Sequence, residues 1–349
     1  MRRNRPERSR GGVARAGRRR RGAGPVVLLY HRIGQAAIDP QLLSVTPEHF
    51  AEHLQAIDEE YRPTRLGDVL GDGHKRSAPP PTVVITFDDG YADNLLVAKP
   101  LLERTGIPAT VFVASGCVRK DCRFWWDELE RLLLQPGNLP STFFLQIAFE
   151  TLRFEVGDDA VYTPEDAAEG AHWTVLDRED PRPRQRIYRS LCTRLRELDE
   201  RDRERTLEHL NAIAELDERS DPMTPRSLTL DELARLGDGG LIEIGAHTVT
   251  HPVLAQLPPA RQRDEVAGSK RQLEEAVGRS VSSFSYPYGT PADFDDITVS
   301  IVRDAGFARA CANVPGRVSG HTDPFRIPRI LVRDWSGDEL GRRLRSIGR

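Results

Sequence analysis

The chain has 349 residues, 38% hydrophobic and 7% aromatic, which is enough apolar material for one large or two modest globular domains. No run approaches the roughly 18–20 apolar residues of a membrane span. The formal net charge of −3 hides a split, because residues 1–21 hold ten arginines against one glutamate and the remainder stands at −12. An acidic body argues against a nucleic-acid-binding domain. Cys117, Cys122, Cys192 and Cys311 form no CxxC pair and no disulfide framework, so they read as reduced thiols. With no secretory signal in the sequence, the expected location is the cytoplasm.

In chain order, Met1–Gly24 is arginine- and glycine-rich with almost no apolar content, and it reads as a disordered, solvated tail. Arg18 to Arg21 could meet phosphates, but no aromatic residue is interleaved to stack bases. Val26–His31 (VVLLYH) reads as a buried strand. Thr46 then caps a helix with Pro47 in its first turn, running to about Glu60. Thr82–Phe87 (TVVITF) is a second strand, followed by a helix near Asp93–Thr105 and a third strand at Pro108–Ala114. The alternation resumes with helix Thr229–Leu236, strand Leu241–Ala246, helix Pro259–Val277 and strand Val281–Tyr286. It ends with a helix near Asp296–Ala305, strand Phe307–Cys311, the segment Ile327–Val332 and a helix from Ser336. Strands alternating with helices imply a parallel α/β unit, either one barrel or an open sheet. Residues 125–222 break the rhythm with charged helical pieces at Ile187–Leu198 and from Arg203 to about Glu215, and they read as an insertion or cap. The α/β body is then divided into residues 25–124 and 223–349.

Active sites of parallel barrels lie at the carboxyl ends of the strands. After TVVITF comes Asp88-Asp89-Gly90, and after LIEIGA comes His247-Thr-Val-Thr-His251. On a helical turn, two histidines four apart point the same way and suit one metal ion. A carboxylate from another strand end would complete a two-His-one-carboxylate set with open positions. One of the adjacent aspartates could then bind metal while the other takes a proton from water.

Thr86-Phe-Asp-Asp-Gly90 and His247-Thr-Val-Thr-His251, in that order, resemble the first two motifs of the polysaccharide deacetylases, the NodB-homology domain of carbohydrate esterase family four. Ser285-Tyr-Pro-Tyr-Gly289 resembles the third motif. The resemblance implies an α/β fold, a deformed (β/α)7 barrel of the NodB-homology type, here with a helical insertion. It also implies metal-dependent removal of N-acetyl groups from a poly- or oligosaccharide. Carried onto this chain, it makes Asp88 the general base and Asp89, His247 and His251 the ligands of a divalent metal. The Tyr288 backbone N–H becomes an oxyanion donor. Mixed imidazole and carboxylate ligation favours Zn²⁺.

Two departures from the family pattern matter. The arginine that normally precedes the proline of the third motif is missing, since Phe284, Ser285 and Tyr286 stand there. Arg329 is the candidate to steady Asp88 in its place, with Arg326 behind it. The family's closing Leu-x-His is also absent, since no histidine follows His321. Leu29-Tyr30-His31 fits that pattern at the end of the first strand instead, so the chain resembles the circularly permuted branch, with His31 as general acid. Asp334-Trp335 resembles the fourth motif only superficially, and Trp125-Trp126 suits either sugar stacking or packing. The expected partner is an N-acetylated glycan or glycan precursor, with no nucleic acid and no membrane span. The competing readings are an amidohydrolase acting on a non-sugar C–N bond and a non-catalytic binding protein.

Overall fold

The computed structural model describes residues 24–70, 81–120, 123–216 and 225–347. The arginine-rich tail up to residue 23, Cys122 and the end of the 125–222 segment lie outside the described residues.

Seven parallel strands build the body: β1 (Val26–Tyr30), β2 (Thr82–Phe87), β3 (Ala109–Val113), β4 (Ile242–Ala246), β5 (Ser283–Ser285), β6 (Arg309–Cys311) and β7 (Ile330–Leu331). Their order is β6-β5-β4-β3-β2-β1-β7, and the short strand Arg62–Pro63 pairs with the start of β2. Every residue of β1, β2 and β3 is buried, as expected for strands covered by helices on one face and packed against a curled interior on the other. Residues 327–331 close the curl. Ile327 bridges to Cys311 in β6, and three residues later Ile330 and Leu331 pair with Leu28 and Leu29 of β1. Arg329 sits inside this closing segment.

The helices follow their sequence signals closely. Pro47–Glu60 begins where Thr46 accepts the His49 N–H, and Pro259–Val277 spans the expected residues. The helix expected near Asp93–Thr105 is present, but its first turn, Asn94–Ala98, is wider than an α-turn before Lys99–Thr105 continues.

A second hydrophobic cluster, separate from the barrel core, is built by helices Trp125–Leu134, Pro183–Glu197 and Glu200–Ile213. This region is not purely helical. Thr142–Ile147 and Glu150–Glu155 form an antiparallel hairpin. The period-two alternation of TFFLQI, with Phe143, Leu145 and Ile147 buried, places one face on the cluster. Cys117 is disulfide-bonded, whereas Cys192 and Cys311 are free thiols. That corrects the expectation of four reduced cysteines and removes the support it lent to a cytoplasmic location. Among the described residues, no helix is long and apolar enough to cross a membrane.

One buried histidine ties β1, the first helix and the C-terminal segment together. His53 accepts from the Tyr30 hydroxyl at 3.2 Å and donates through Nε2 to the Trp335 carbonyl at 2.6 Å. Burial pushes its pKa down to about 4. Between pH 6.5 and 4 the unfolded chain therefore binds a proton that the folded chain refuses. The stabilisation is complete above the unfolded value and is lost as the pH falls, by about 3 kcal/mol in all. In urea unfolding, His53→Gln should show a shallower loss of stability between pH 6.5 and 4.5 than the parent. Equal slopes would remove His53 from this role.

Candidate active site

The site forms where β1, β2, β4, β5 and β7 end on one face of the barrel. β2 runs directly into Asp88 and Asp89, both buried, and Asp88 N–H continues the ladder to the Tyr30 carbonyl at 3.0 Å. Asp89 then turns into the left-handed region with φ of 74°. Gly90 follows at φ 83°, where a Cβ would come within 2.9 Å of a Val113 methyl, so only glycine fits the turn. The abrupt change of direction gives the two neighbouring carboxylates different surroundings.

Asp88 faces Arg329, a fully buried guanidinium that grips it with two 2.7 Å hydrogen bonds. Arg329 is held in turn by the Ala312 carbonyl, Thr86 Oγ1 and Ser285 Oγ, and Ser285 Oγ also donates to Asp88 at 3.1 Å. Burial alone would raise the Asp88 pKa, but Arg329 and then His247 outweigh it and hold the carboxyl below its ordinary value. Arg326, expected behind Arg329, instead lies at the surface with Asp296 and Asp323. The buried environment admits only the arginine whose charge Asp88 neutralises.

Asp89 faces two imidazoles. One carboxylate oxygen lies 3.5 Å from His247 Nε2 and 3.4 Å from His251 Nε2, and the three donor atoms fall within 4.8 Å of one another. Tetrahedral ligands about 2.0–2.1 Å from a cation lie about 3.4 Å apart, so this spacing fits a divalent ion. His247 Nδ1 donates to the Ser285 carbonyl at 2.8 Å, which leaves Nε2 as the nitrogen facing Asp89. Burial opposes protonation of His247, but Asp88 and Asp89 together raise its pKa. His251 is pushed far down by burial, by His247 and by Arg203, so it is neutral. Its ring meets the rings of Tyr288 at 4.7 Å and Trp126 at 5.1 Å edge to face, an aromatic collar around the imidazole.

The two histidines do not share a helical turn. Thr248 and His251 have φ of 66° and 57°, and the loop bends back so that His251 N–H donates to Thr248 Oγ1 at 3.0 Å. Buried Glu265, on the Pro259–Val277 helix, accepts the N–H groups of Val249 and Thr250 and the Thr250 hydroxyl, each at 2.8 Å. Ser115 and Gly116 donate to the Thr248 and Val249 carbonyls from the opposite side. The four-residue spacing thus brings the imidazoles together through an anchored irregular loop rather than through helical periodicity.

A cavity of about 860 Å³ opens over these groups and is lined by His31, Asp88, Asp89, His247, His251 and Tyr288 among others. His31, half-buried at the end of β1, has its pKa lowered by burial, an effect that Asp89 and Asp88 only partly offset. Tyr288 also has a positive φ, 59°, and among the described residues its backbone N–H has no hydrogen-bond partner. Trp125 and Trp126 lie on the cavity wall but are largely buried, with Trp126 donating to the Tyr91 hydroxyl at 2.8 Å and Trp125 to the Tyr288 hydroxyl at 3.3 Å. Asp334 and Trp335 lie outside the cavity lining. Asp334 accepts from Thr46 and pairs with His49, and the Trp335 carbonyl serves His53. The third motif marks the position of Ser285 but not its bond to Asp88, and Glu265, a glutamate in a charged helix, carries no spacing signal.

The Asp88–Arg329 pair yields a direct test. Arg329→Met leaves a buried carboxylate without its cation and should cost about 3–5 kcal/mol in stability. Combining it with Asp88→Asn should recover a large part of that loss, and a double-mutant cycle in denaturant measures the coupling. Strictly additive losses would show that the two side chains do not depend on each other.

A family model for polysaccharide deacetylase matches residues 75–145 and 213–310. YxkH of Bacillus subtilis (strain 168), which carries a polysaccharide deacetylase name, is 26% identical over 121 residues, covering 34% of this chain and 42% of that relative's own length. The Streptococcus pyogenes deacetylase PplD, solved in complex with acetate, superposes with a TM-score of 0.56 at 18% identity, covering 94% of this chain and 100% of that one. IcaB from Ammonifex degensii superposes with a TM-score of 0.54 at 19% identity, covering 92% and 97%. At these identities the two structures establish a shared fold, the curled parallel barrel with surrounding helices. The family match falls on the segments that carry the aspartate pair and the two histidines, and over those segments the chain is similar to the polysaccharide deacetylases.

Proposed function

We propose that this protein is a metal-dependent hydrolase that removes N-acetyl groups from a poly- or oligosaccharide or a glycan precursor, releasing acetate and a free amino sugar. The observation that carries the reading is the division of labour between neighbouring carboxylates: Asp88 is held ionised by Arg329, while Asp89 faces two imidazole nitrogens at ligand spacing.

Asp89, His247 and His251 would hold a divalent ion, and zinc suits their mixed donor set. When bound, such an ion supplies Lewis acidity toward a carbonyl oxygen and a lowered pKa for water. Asp88, kept as a carboxylate by its guanidinium partner, takes a proton from water as the oxygen attacks the acetamide carbon. The free Tyr288 N–H can donate to the carbonyl oxygen as negative charge grows there, a contribution worth on the order of 3–4 kcal/mol. Collapse of the tetrahedral species breaks the C–N bond, and the nitrogen must gain a proton to leave as an amine. His31, which lines the cavity at the end of β1 beside β2, would supply that proton. Burial favours its neutral form, while the nearby Asp89 and Asp88 carboxylates favour the imidazolium that donates. A histidine ahead of the aspartate motif takes the place of the family's C-terminal one, which supports a circularly permuted strand order.

Incubation of the metal-loaded protein with N-acetylglucosamine oligomers should release acetate. Asp89→Ala, His247→Ala and His251→Ala should lose both bound metal, measured by elemental analysis, and turnover. His31→Ala should keep its metal but slow acetate release by about 100-fold or more. Full metal content and full rate in Asp89→Ala would overturn the ligand assignment, and an undiminished rate in His31→Ala would overturn the acid.

A further inference from the structure

We propose that Arg333 recognises an anionic group on the substrate, a carboxylate or a phosphate, at the His31 end of the cavity. The inference rests on the deacetylase reading only in taking the ligand to be a sugar derivative.

Arg333 lies two residues beyond β7, the strand that neighbours β1, so it emerges on the same carboxyl-end face as His31, and both side chains line the cavity. Its Nη1 donates to the backbone carbonyls of Gln41, at 3.2 Å, and Leu42. Those contacts fix the guanidinium but bring no negative charge. Among the described residues no carboxylate comes within 4.0 Å of it. Asp39, the acid that influences it most, has its oxygens committed to the N–H groups of Leu43 and Ser44 at 2.9 and 2.8 Å. Burial therefore disfavours the Arg333 cation with little compensation.

The other arginines around the cavity each have a carboxylate partner. Arg329 belongs to Asp88, and Arg196 is paired with Asp293 while its guanidinium lies 4.4 Å from the centre of the Tyr288 ring. Arg189 bonds Asp180 and three backbone carbonyls. Of the acids on the wall, Asp88 and Asp293 have arginine partners, Asp89 faces the imidazoles, and Glu197 is solvent-exposed at the rim. Arg333 is thus a half-buried cation on the wall of a substrate-sized cavity with its Nε and Nη2 hydrogens uncommitted. A planar fork of donors matches the paired oxygens of a carboxylate or phosphate.

Two measurements test this. In the first, acetate release is compared between a neutral N-acetylglucosamine oligomer, an oligomer alternating N-acetylglucosamine with glucuronate, and an N-acetylglucosamine phosphate. The parent should show a kcat/KM at least about tenfold higher for one anionic substrate than for the neutral one at low salt. The preferred anion identifies the source. Arg333→Gln should bring that ratio close to one, and Arg333→Lys should keep part of it. In the second, chelator-treated protein is titrated with glucuronate, a sugar phosphate and glucose while the fluorescence of Trp125 and Trp126 in the same cavity is followed. The parent should bind one of the anions at least about tenfold more tightly than Arg333→Gln does. No preference for either anion in the parent, or a preference retained in Arg333→Gln, overturns the proposal. If anion binding depends on Arg333 but no substrate releases acetate, the proposed activity fails while the anion site stands. Acetate release with a ratio of one removes the anion site and leaves the activity standing.

Discussion

The site depends on one buried ion pair. Arg329 has no exposed surface, and a guanidinium in that position is tolerable only because Asp88 meets it with two hydrogen bonds and Ser285, Thr86 and the Ala312 carbonyl take the remaining donors. The pair also belongs to the barrel's closure. Arg329 lies between Ile327, which bridges to β6, and Ile330, which pairs with β1. Closing the sheet and fixing the charge of Asp88 are therefore one structural event. A protein that left the seam open would lose the cation that keeps the Asp88 carboxylate ionised.

Backbone strain gathers around the same point. Asp89, Thr248, His251 and Tyr288 all occupy the left-handed region, where non-glycine residues are uncommon. Each such residue costs on the order of 1–3 kcal/mol and persists only when its surroundings over-determine it. Here they do. The 247–251 loop is gripped by Glu265 on one side and by the Ser115 and Gly116 amides on the other. Gly289, next to Tyr288, shares a short contact with Asn313 that a side chain would block. Asp89, His251 and Tyr288 line a single cavity from these turns, an arrangement that regular strand or helix geometry at these positions would not produce.

Much of this was legible in the amino-acid order. Fully apolar strands and well-capped helices announce themselves, as Thr46 and the Pro259–Val277 helix show, because local propensity and tertiary burial agree there. The strand-end motifs pointed to Asp88, Asp89, His247 and His251, and the structure brings all four together. Arg329 could be nominated only because the family's arginine was missing and a late apolar segment offered one. What sequence periodicity misjudged was conformation. The HxxxH spacing suggests a helix, but an anchored loop performs the same convergence. The hairpin at Thr142–Glu155 went unseen because its alternation is short and lies within a charged, helix-rich stretch. The roles of Ser285 and Glu265 depend on contacts across the fold that no local pattern encodes.

The cavity's two walls differ in origin, and this bears on selectivity. The chemical floor, with Asp88, Asp89 and the two imidazoles, comes from barrel strand ends, whereas Val175, Arg189, Cys192 and Arg196 reach it from the second hydrophobic cluster. Reaction and recognition can therefore vary separately: altering the second cluster changes what fits above the floor without moving the aspartates. Charge adds a further constraint. Residues 22–349 carry a net charge of −12, so their field repels an anionic glycan at long range. Screening confines that repulsion to within a Debye length of about 8 Å at physiological ionic strength. A guanidinium inside the cavity, with no carboxylate partner among the described residues, acts at contact distance, where desolvation strengthens it. An acidic protein can in this way exclude most anions from its surface and still admit one whose charge is placed to meet Arg333.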